Sequence, residues 1–250
     1  MYNDDLHAAI EVGQVRIEIH DKTQTNRQGG PMKVELLRVT PFGDDIAAEA
    51  AATCTRSDHP DKARAHALMS GHESILEHIV FTFRIEEISR VTLAQLTRHR
   101  LASFEVESQR YTDTNQCSVI MPPSIQENPI LNQEYFQLVQ RTRDFYDKAV
   151  NIMGIPKEDA RFANLEGTCT RLILTMNARE LRHFFSLRCC NRAQWEIREL
   201  ADRMLKICKQ ECPVAFVDAG PGCVRHQCPE LRPCGHERTH DWDGEGNDNG

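Results

Sequence analysis

Over residues 78–86 the chain alternates with a period of two. Ile79, Phe81, Phe83 and Ile85 fall on one face, and Val80, Thr82, Arg84 and Glu86 on the other. Successive side chains of a strand point to opposite faces, so the pattern predicts a strand with one dry and one wet side. Residues 33–40 (KVELLRVT) alternate in the same way and are closed by Pro41, and the β-branched run 168–175 (TCTRLILT) reads as a further strand. Between them lie helical signals: the alanine-rich stretch 44–55, residues 61–70 ahead of Gly71, and a segment through VTLAQLTRHRL that Ser89 would cap. Further on, residues 131–153 are apolar at helical spacing and close at Gly154. Pro156 then opens a helix with Glu158 and Asp159 in its first turn, and 178–189 and 193–212 are amphipathic. Strands and helices follow no regular βαβ rhythm. The expected fold is therefore α+β, mixed helices packed on a mostly antiparallel sheet in a single domain.

Domain boundaries follow from composition. Residues 1–31 are polar and end in TNRQGG, an N-terminal extension expected to be poorly ordered, although VRIEIH (residues 15–20) could pair as an edge hairpin. Residues 32–218 would form the folded domain and 219–250 a Cys-, Gly- and Asp-rich tail. The absence of a long apolar run argues against a membrane span, and the formal charge of -7 argues against non-specific attraction to nucleic acid. Ten cysteines without a basic, apolar leader at MYNDDLHAAIEVG predict a reducing, cytoplasmic setting. An anionic ligand would have to be met by a local group of arginines.

The chemistry narrows by what is missing. There is no G-x-G-x-x-G after a strand, no P-loop and no G-x-S-x-G elbow; His72-Glu73 lacks the zincin histidine, since position 76 is Leu76. Paired carboxylates at Glu73 and Glu77 would suit a glycosidase only with an aromatic sugar groove, and aromatics make up 6% of the chain. The unusual stretch is Arg98-His99-Arg100-Leu101-Ala102-Ser103-Phe104-Glu105-Val106-Glu107-Ser108-Gln109-Arg110-Tyr111, where forked guanidinium donors suit phosphate oxygens. Read alone, it is more readily a solvated charged face with Glu105 and Glu107 as surface partners.

Arg98-His99-Arg100 followed after seven residues by Ser108 resembles the R-H-R-x7-S signature of the flavin-dependent thymidylate synthases. Upstream, Gly71-His72-Glu73-Ser74-Ile75-Leu76-Glu77-His78 is similar to that family's G-H-E-[ST]-x-x-E-H stretch. Downstream, Asn177-Ala178-Arg179-Glu180-Leu181-Arg182-His183 and Ala193-Gln194-Trp195-Glu196-Ile197-Arg198 resemble its third block. The resemblance runs from Met32 to Phe216. Three ordered blocks at suitable spacing do not arise by chance, and the resemblance implies an enzyme that methylates dUMP reductively to dTMP, with methylenetetrahydrofolate as carbon donor and NADPH as reductant through bound FAD. It also implies a homotetramer with active sites shared between subunits.

By resemblance, Arg98, His99 and Arg100 contact the flavin, lined on one wall by Asn177, Arg179 and His183 and on the other by His72, Ser74 and Glu77. Gln95, Glu107, Ser108, Arg110, Arg161 and Arg188 would hold dUMP, with Arg161, Arg188 and Ser108 closest to the chemistry. Which of Glu105 and Glu107 makes the family's glutamate contact stays open. Arg192 stands where some relatives carry histidine and could reach the flavin diphosphate. A guanidinium such as that of Arg161 can stabilise charge developing on the uracil. Ser108 has no evident base beside it in the sequence, so binding is favoured over a nucleophilic role. A non-catalytic flavin- or nucleotide-binding protein of the same fold is the competing reading. No metal is expected in the active site. Cys212, Cys223, Cys228 and Cys234, with His226 and His236, could bind zinc, but they lack a C-x-x-C hook, and reduced thiols are the expectation.

Overall fold

The computed structural model describes residues 32–225 and 228–235. The extension 1–31, for which the sequence predicts a poorly ordered segment or an edge hairpin at 15–20, and His226 and His236 lie outside them. In chain order the elements are β1 (Lys33–Val39), α1 (Gly43–Thr55), α2 (Pro60–Met69), a 3-10 turn (Glu73–His78), β2 (Val80–Ser89), α3 (Arg90–Leu96) and β3 (Ala102–Val106). There follow α4 (Pro123–Gln126), α5 (Pro129–Asp147), α6 (Lys157–Ala160), β4 (Cys169–Asn177), α7 (Ala178–Arg188), α8 (Trp195–Glu211) and α9 (Gly222–Arg225). The chain divides into two compact units, one of Met32–Glu107 and the residues from Cys169 onward, the other of Ser108–Thr168.

The first unit is built on a four-stranded sheet of order β1-β2-β4-β3, antiparallel at every pairing, and the fold is α+β as expected. β2 takes an interior place, and the residues that the alternation assigned to its dry face, Ile79, Phe81, Phe83 and Ile85, have no exposed surface. Phe83 sits opposite Leu36 of β1 and Leu174 of β4. This face is covered by Leu181, Phe184 and Phe185 of α7 and by Leu200, Met204 and Leu205 of α8, all fully buried. On the other face the Thr82 and Thr175 hydroxyls lie 3.0 Å apart, and Arg84 reaches Glu35 at 2.6 Å. Gly43 opens α1 where a Cβ would stand 2.8 Å from Cys212 Sγ and 2.9 Å from Ile79, so a side chain there would force the end of α8 away.

Three differences from the sequence expectation have local causes. β2 runs beyond Glu86 to Ser89 because Glu87 adopts a left-handed conformation (φ 59°) and the register with β4 shifts between Ile85 and Ile88. α3 stops at Leu96 instead of running through the arginine motif. The Thr97 hydroxyl donates back to Leu93 O at 3.1 Å, while the Arg98 and His99 amides close tight turns onto Gln95 and Leu96. β3 was not expected at all, since its alternation, with Ser103 and Glu105 exposed and Ala102, Phe104 and Val106 half-buried, lies inside the charged motif. Packing also continues past residue 218: Ala219 and Val224 are buried.

The second unit is helical. Asn128 caps α5 by accepting from the Ile130 and Leu131 amides at 3.1 and 3.2 Å, and α5 runs on into a π turn (Lys148–Ile152) before Gly154 at φ 68°. Tyr146, Ala149 and Ala160 form its small core. The Arg143 guanidinium, largely buried, donates through Nη2 to Cys117 O at 2.9 Å.

The junction of β2 and α3 is tied to α8 by one buried side chain. Glu196 accepts from the Ser89 amide at 2.6 Å and from the Ser89 hydroxyl at 2.5 Å, while that hydroxyl accepts from the Thr92 amide at 3.1 Å. Replacing Glu196 with alanine leaves a buried donor pair without its acceptor, and should lower stability by about 3 kcal/mol in urea unfolding. A Glu196→Ala protein with an unchanged midpoint would show that Ser89 is satisfied in some other way.

Candidate active site

The turn between α3 and β3 carries Arg98, His99 and Arg100, and the three side chains part company. Arg98 and Arg100 are exposed and make no ion pair among the described residues, whereas His99 is 4% exposed. The imidazole lies edge-on to Phe184, with ring centroids 4.9 Å apart, and 5.8 Å from the ring of His183. His99 Nδ1 is 3.2 Å from Glu180 Oε1, and His99 Nε2 is 3.2 Å from Arg188 Nε. Arg188 Nε–H can only donate, so Nε2 accepts and the proton sits on Nδ1, facing Glu180. Burial, helped by the charges of Arg188 and His183, holds the His99 pKa down at about 4. Burial raises the Glu180 carboxyl, and burial with the neighbouring Arg98 charge lowers Arg188.

α7 gathers most of the remaining candidates of this unit. Asn177 caps it, its Oδ1 accepting from the Glu180 amide at 2.9 Å. Arg179 meets Glu77 of the 3-10 turn at 2.5 Å, which joins the first and third sequence blocks. Arg182 is buried and its charge is compensated: Nε contacts Glu73 at 3.1 Å, and Nη1 contacts Asp218 at 2.8 Å and Ala215 O at 2.5 Å. His72, Ser74 and His183 are exposed. Gln95 on α3 contributes its backbone oxygen to Arg188 Nη2 at 3.5 Å, and its side chain reaches Gln194 at 3.5 Å. Glu105 points to the exposed side of β3, whereas Glu107 pairs with Arg171 at 3.3 Å. Arg192 donates to Arg232 O.

In the second unit, Ser108, Arg110 and Arg161 come together around Glu158. Arg110 Nε donates to the Glu158 carboxylate at 2.8 Å, and Arg161 Nε donates to Glu158 O at 3.1 Å. The Ser108 hydroxyl oxygen accepts from the Arg110 amide at 3.3 Å. Glu158 of α6 thus holds two forked donors, Arg161 at the end of its own helix and Arg110 from the segment that follows β3.

Against known proteins, the family described as thymidylate synthase complementing protein matches residues 35–214. The flavin-dependent thymidylate synthase of Geobacter sulfurreducens is 43% identical over 213 residues, covering 80% of this chain and 91% of the relative. The chain belongs to the flavin-dependent thymidylate synthase family. It is thus an enzyme of that class. The family's Clostridium tetani member is 37% identical over 226 residues, 80% of this chain and 91% of its own. The crystal structure of thymidylate synthase X from Helicobacter pylori with FAD and dUMP superimposes with a TM-score of 0.62 at 28% identity, over 75% of this chain and 98% of that one.

Residue types alone do not single out Glu180, Glu196 or Glu158, although the first two lie inside the third motif block. A carboxylate one or two turns from an arginine reads as a surface partner in sequence, and only burial separates the two cases. Cys212 moves the other way. It is buried in the sheet unit's core and its thiol is pushed up to about 12, by burial first and then by Asp44 and Glu211. That makes it a packing residue and a poor thiolate ligand. Among the described residues no group of three or more His, Cys, Asp or Glu converges on a metal position.

The depressed His99 pKa links protonation to folding. The unfolded chain takes up this proton near the ordinary 6.5 and the folded chain only near 4, so stability falls as pH drops through that window and levels below it. The loss should be on the order of 3 kcal/mol. Urea titrations of wild type and His99→Gln between pH 7 and 4 check this: the variant should lose less stability on acidification, and equal losses would exclude His99 as the source.

Proposed function

We propose that the chain makes thymidylate by the reductive methylation of deoxyuridylate. In balance, dUMP, methylenetetrahydrofolate, NADPH and a proton give dTMP, tetrahydrofolate and NADP+. FAD is the resident cofactor; when bound it supplies hydride transfer between NADPH and the methylene-bearing pyrimidine. The reading is supported by family membership and by one observation above others: Arg188 is held at 3.2 Å by the neutral His99 ring, and neither Arg188 nor the neighbouring Arg98 has a carboxylate partner among the described residues. Cations left unmatched at one place fit the diphosphate of a dinucleotide or the phosphate of a nucleotide.

In this reading Arg98, His99 and Arg100, with Asn177, Arg179, His183, His72, Ser74 and Glu77, form the flavin site. Gln95, Glu107, Ser108, Arg110, Arg161 and Arg188 form the nucleotide site. Arg161 and Arg188 stabilise negative charge as the uracil is polarised toward attack on the methylene. Ser108 binds rather than attacks, since its hydroxyl contacts a backbone amide and meets no base among the described residues. Folate is bound as a co-substrate, and neither nucleic acid nor membrane is a partner.

The enzyme works as a homotetramer with shared sites, the catalytic domain spanning residues 32–218. The cofactor candidates His72, Ser74, Glu77, Arg98, Arg100 and His183 are all exposed in one chain, which favours a site completed by a neighbour. Leu131, Leu138, Phe145 and Ile152 recur at heptad spacing along α5 and its π turn with 45%, 46%, 58% and 72% of their surface exposed, an apolar stripe suited to self-association. No helix among the described residues is long and apolar enough to cross a membrane, which is compatible with the proposed cytoplasmic setting.

Purified protein should be yellow and should oxidise NADPH with formation of dTMP only when dUMP and methylenetetrahydrofolate are both present. Changing Arg98 and Arg100 together to alanine should lower flavin affinity at least tenfold, since each lost charge-assisted bond is worth about 1.5–3 kcal/mol. Arg188→Ala should weaken dUMP binding while the protein stays yellow. Undiminished flavin in the double variant would move the cofactor elsewhere.

A further inference from the structure

The contacts around Arg188 pose a question that the proposed nucleotide site does not answer. Its guanidinium lies beside Arg98, which repels it, yet no carboxylate pairs with it among the described residues. A long side chain in that position would ordinarily swing out to water. It is held instead by an imidazole, through the 3.2 Å bond from Arg188 Nε to His99 Nε2, and more weakly by Gln95 O at 3.5 Å. The imidazole cannot turn. Glu180 receives its Nδ1–H at 3.2 Å, Phe184 lies edge-on at 4.9 Å, and the backbone amide of Glu180 is itself fixed by Asn177.

We infer that Glu180 is a positioning residue: through His99 it sets the tautomer and orientation that hold Arg188 ready for the anionic nucleotide. The inference rests on the proposed assignment of Arg188 to dUMP. Its physical content lies in what is placed next to the arginine. A carboxylate bonded directly to Arg188 would fix the side chain but neutralise it and compete with the phosphate or the polarised uracil. A neutral imidazole fixes Nε and leaves the positive charge unmatched, with Nη1 making no hydrogen bond among the described residues. An isolated neutral histidine could carry its proton on either nitrogen, and with the proton on Nε2 it would face Arg188 donor to donor. The buried Glu180 carboxylate removes that choice.

Two Glu180 variants, Arg188→Ala as the reference and one spectroscopic measurement test this, all on full-length flavin-loaded protein. Glu180→Leu removes the acceptor, whereas Glu180→Gln keeps an oxygen able to receive Nδ1–H. Glu180→Leu should bind dUMP about tenfold more weakly by titration, about 1.4 kcal/mol, with a matching rise in KM, little change in kcat and an unchanged flavin content. Glu180→Gln should recover to within roughly threefold of wild type. In wild-type protein labelled with 15N-histidine, His99 should show the Nδ1–H tautomer. An Nε2–H tautomer overturns the proposal even if the leucine variant does not fold. So does normal dUMP affinity in Glu180→Leu when Arg188→Ala, measured alongside, has lost it. Should Arg188→Ala bind dUMP normally, the assignment of Arg188 itself fails and takes the brace with it, while flavin content still reports separately on the cofactor site.

Discussion

The sheet of the first unit can be dry on one face only, and the rest of that unit follows from covering it. Ile79 just ahead of β2, Phe81, Phe83 and Ile85 within it, and Leu172, Leu174 and Met176 from β4 form a continuous apolar floor, and α7 and α8 are its cover. At roughly 25 cal/mol per Å2 of buried apolar surface, this is the dominant favourable term available to the unit. α7 is therefore pinned along its Leu181, Phe184 and Phe185 side. Its remaining sides are free to carry charge, and the polar candidates of the third sequence block sit there on a rigid element.

Two arginines of α7 show how the same residue type is put to different uses. Arg182 is buried and surrounded by Glu73, Asp218 and a backbone oxygen, so its charge is spent on joining the 3-10 turn to the chain after α8. Arg188 has no such compensation; a neutral histidine holds it and another arginine lies near. Removing either would cost something, but only the second presents an electrostatic potential to the outside. The distinction between a structural and a ligand-facing cation lies in the neighbours, since Arg182 and Arg188 are equivalent as letters.

The same limit decides what could be seen in advance. The period-two pattern of residues 78–86 and the alternation in 33–40 and 168–175 located three strands, because hydrophobic burial writes its periodicity into the sequence. β3 escaped: its inward residues Ala102, Phe104 and Val106 are separated by Ser103 and Glu105 inside an arginine-rich motif, and the charges dominate the reading. The motif blocks pointed to the right segments, and Glu77 with Arg179 joins two of them in space. What the blocks could not convey was depth. His99 and Glu180 are buried where Arg98 and Arg179 are exposed, a difference created by the turn after α3 and by the way α7 lies on the sheet.

The left-handed residue Glu87 acts as a phase shifter. In an unbroken strand Ile85 and Ile88 would point to opposite sides, yet both are without exposed surface, because the register slips between them. The slip also delivers Ser89 to Glu196, and so fixes the direction in which the chain leaves the sheet toward Arg98. Regular pleating of the same residues, without the slip, would turn Ile88 outward. The arginine-bearing turn would then set off from the wrong side of the sheet. Regularity in this strand is incompatible with the site, and the irregular residue is the part of β2 that the active-site turn relies on most.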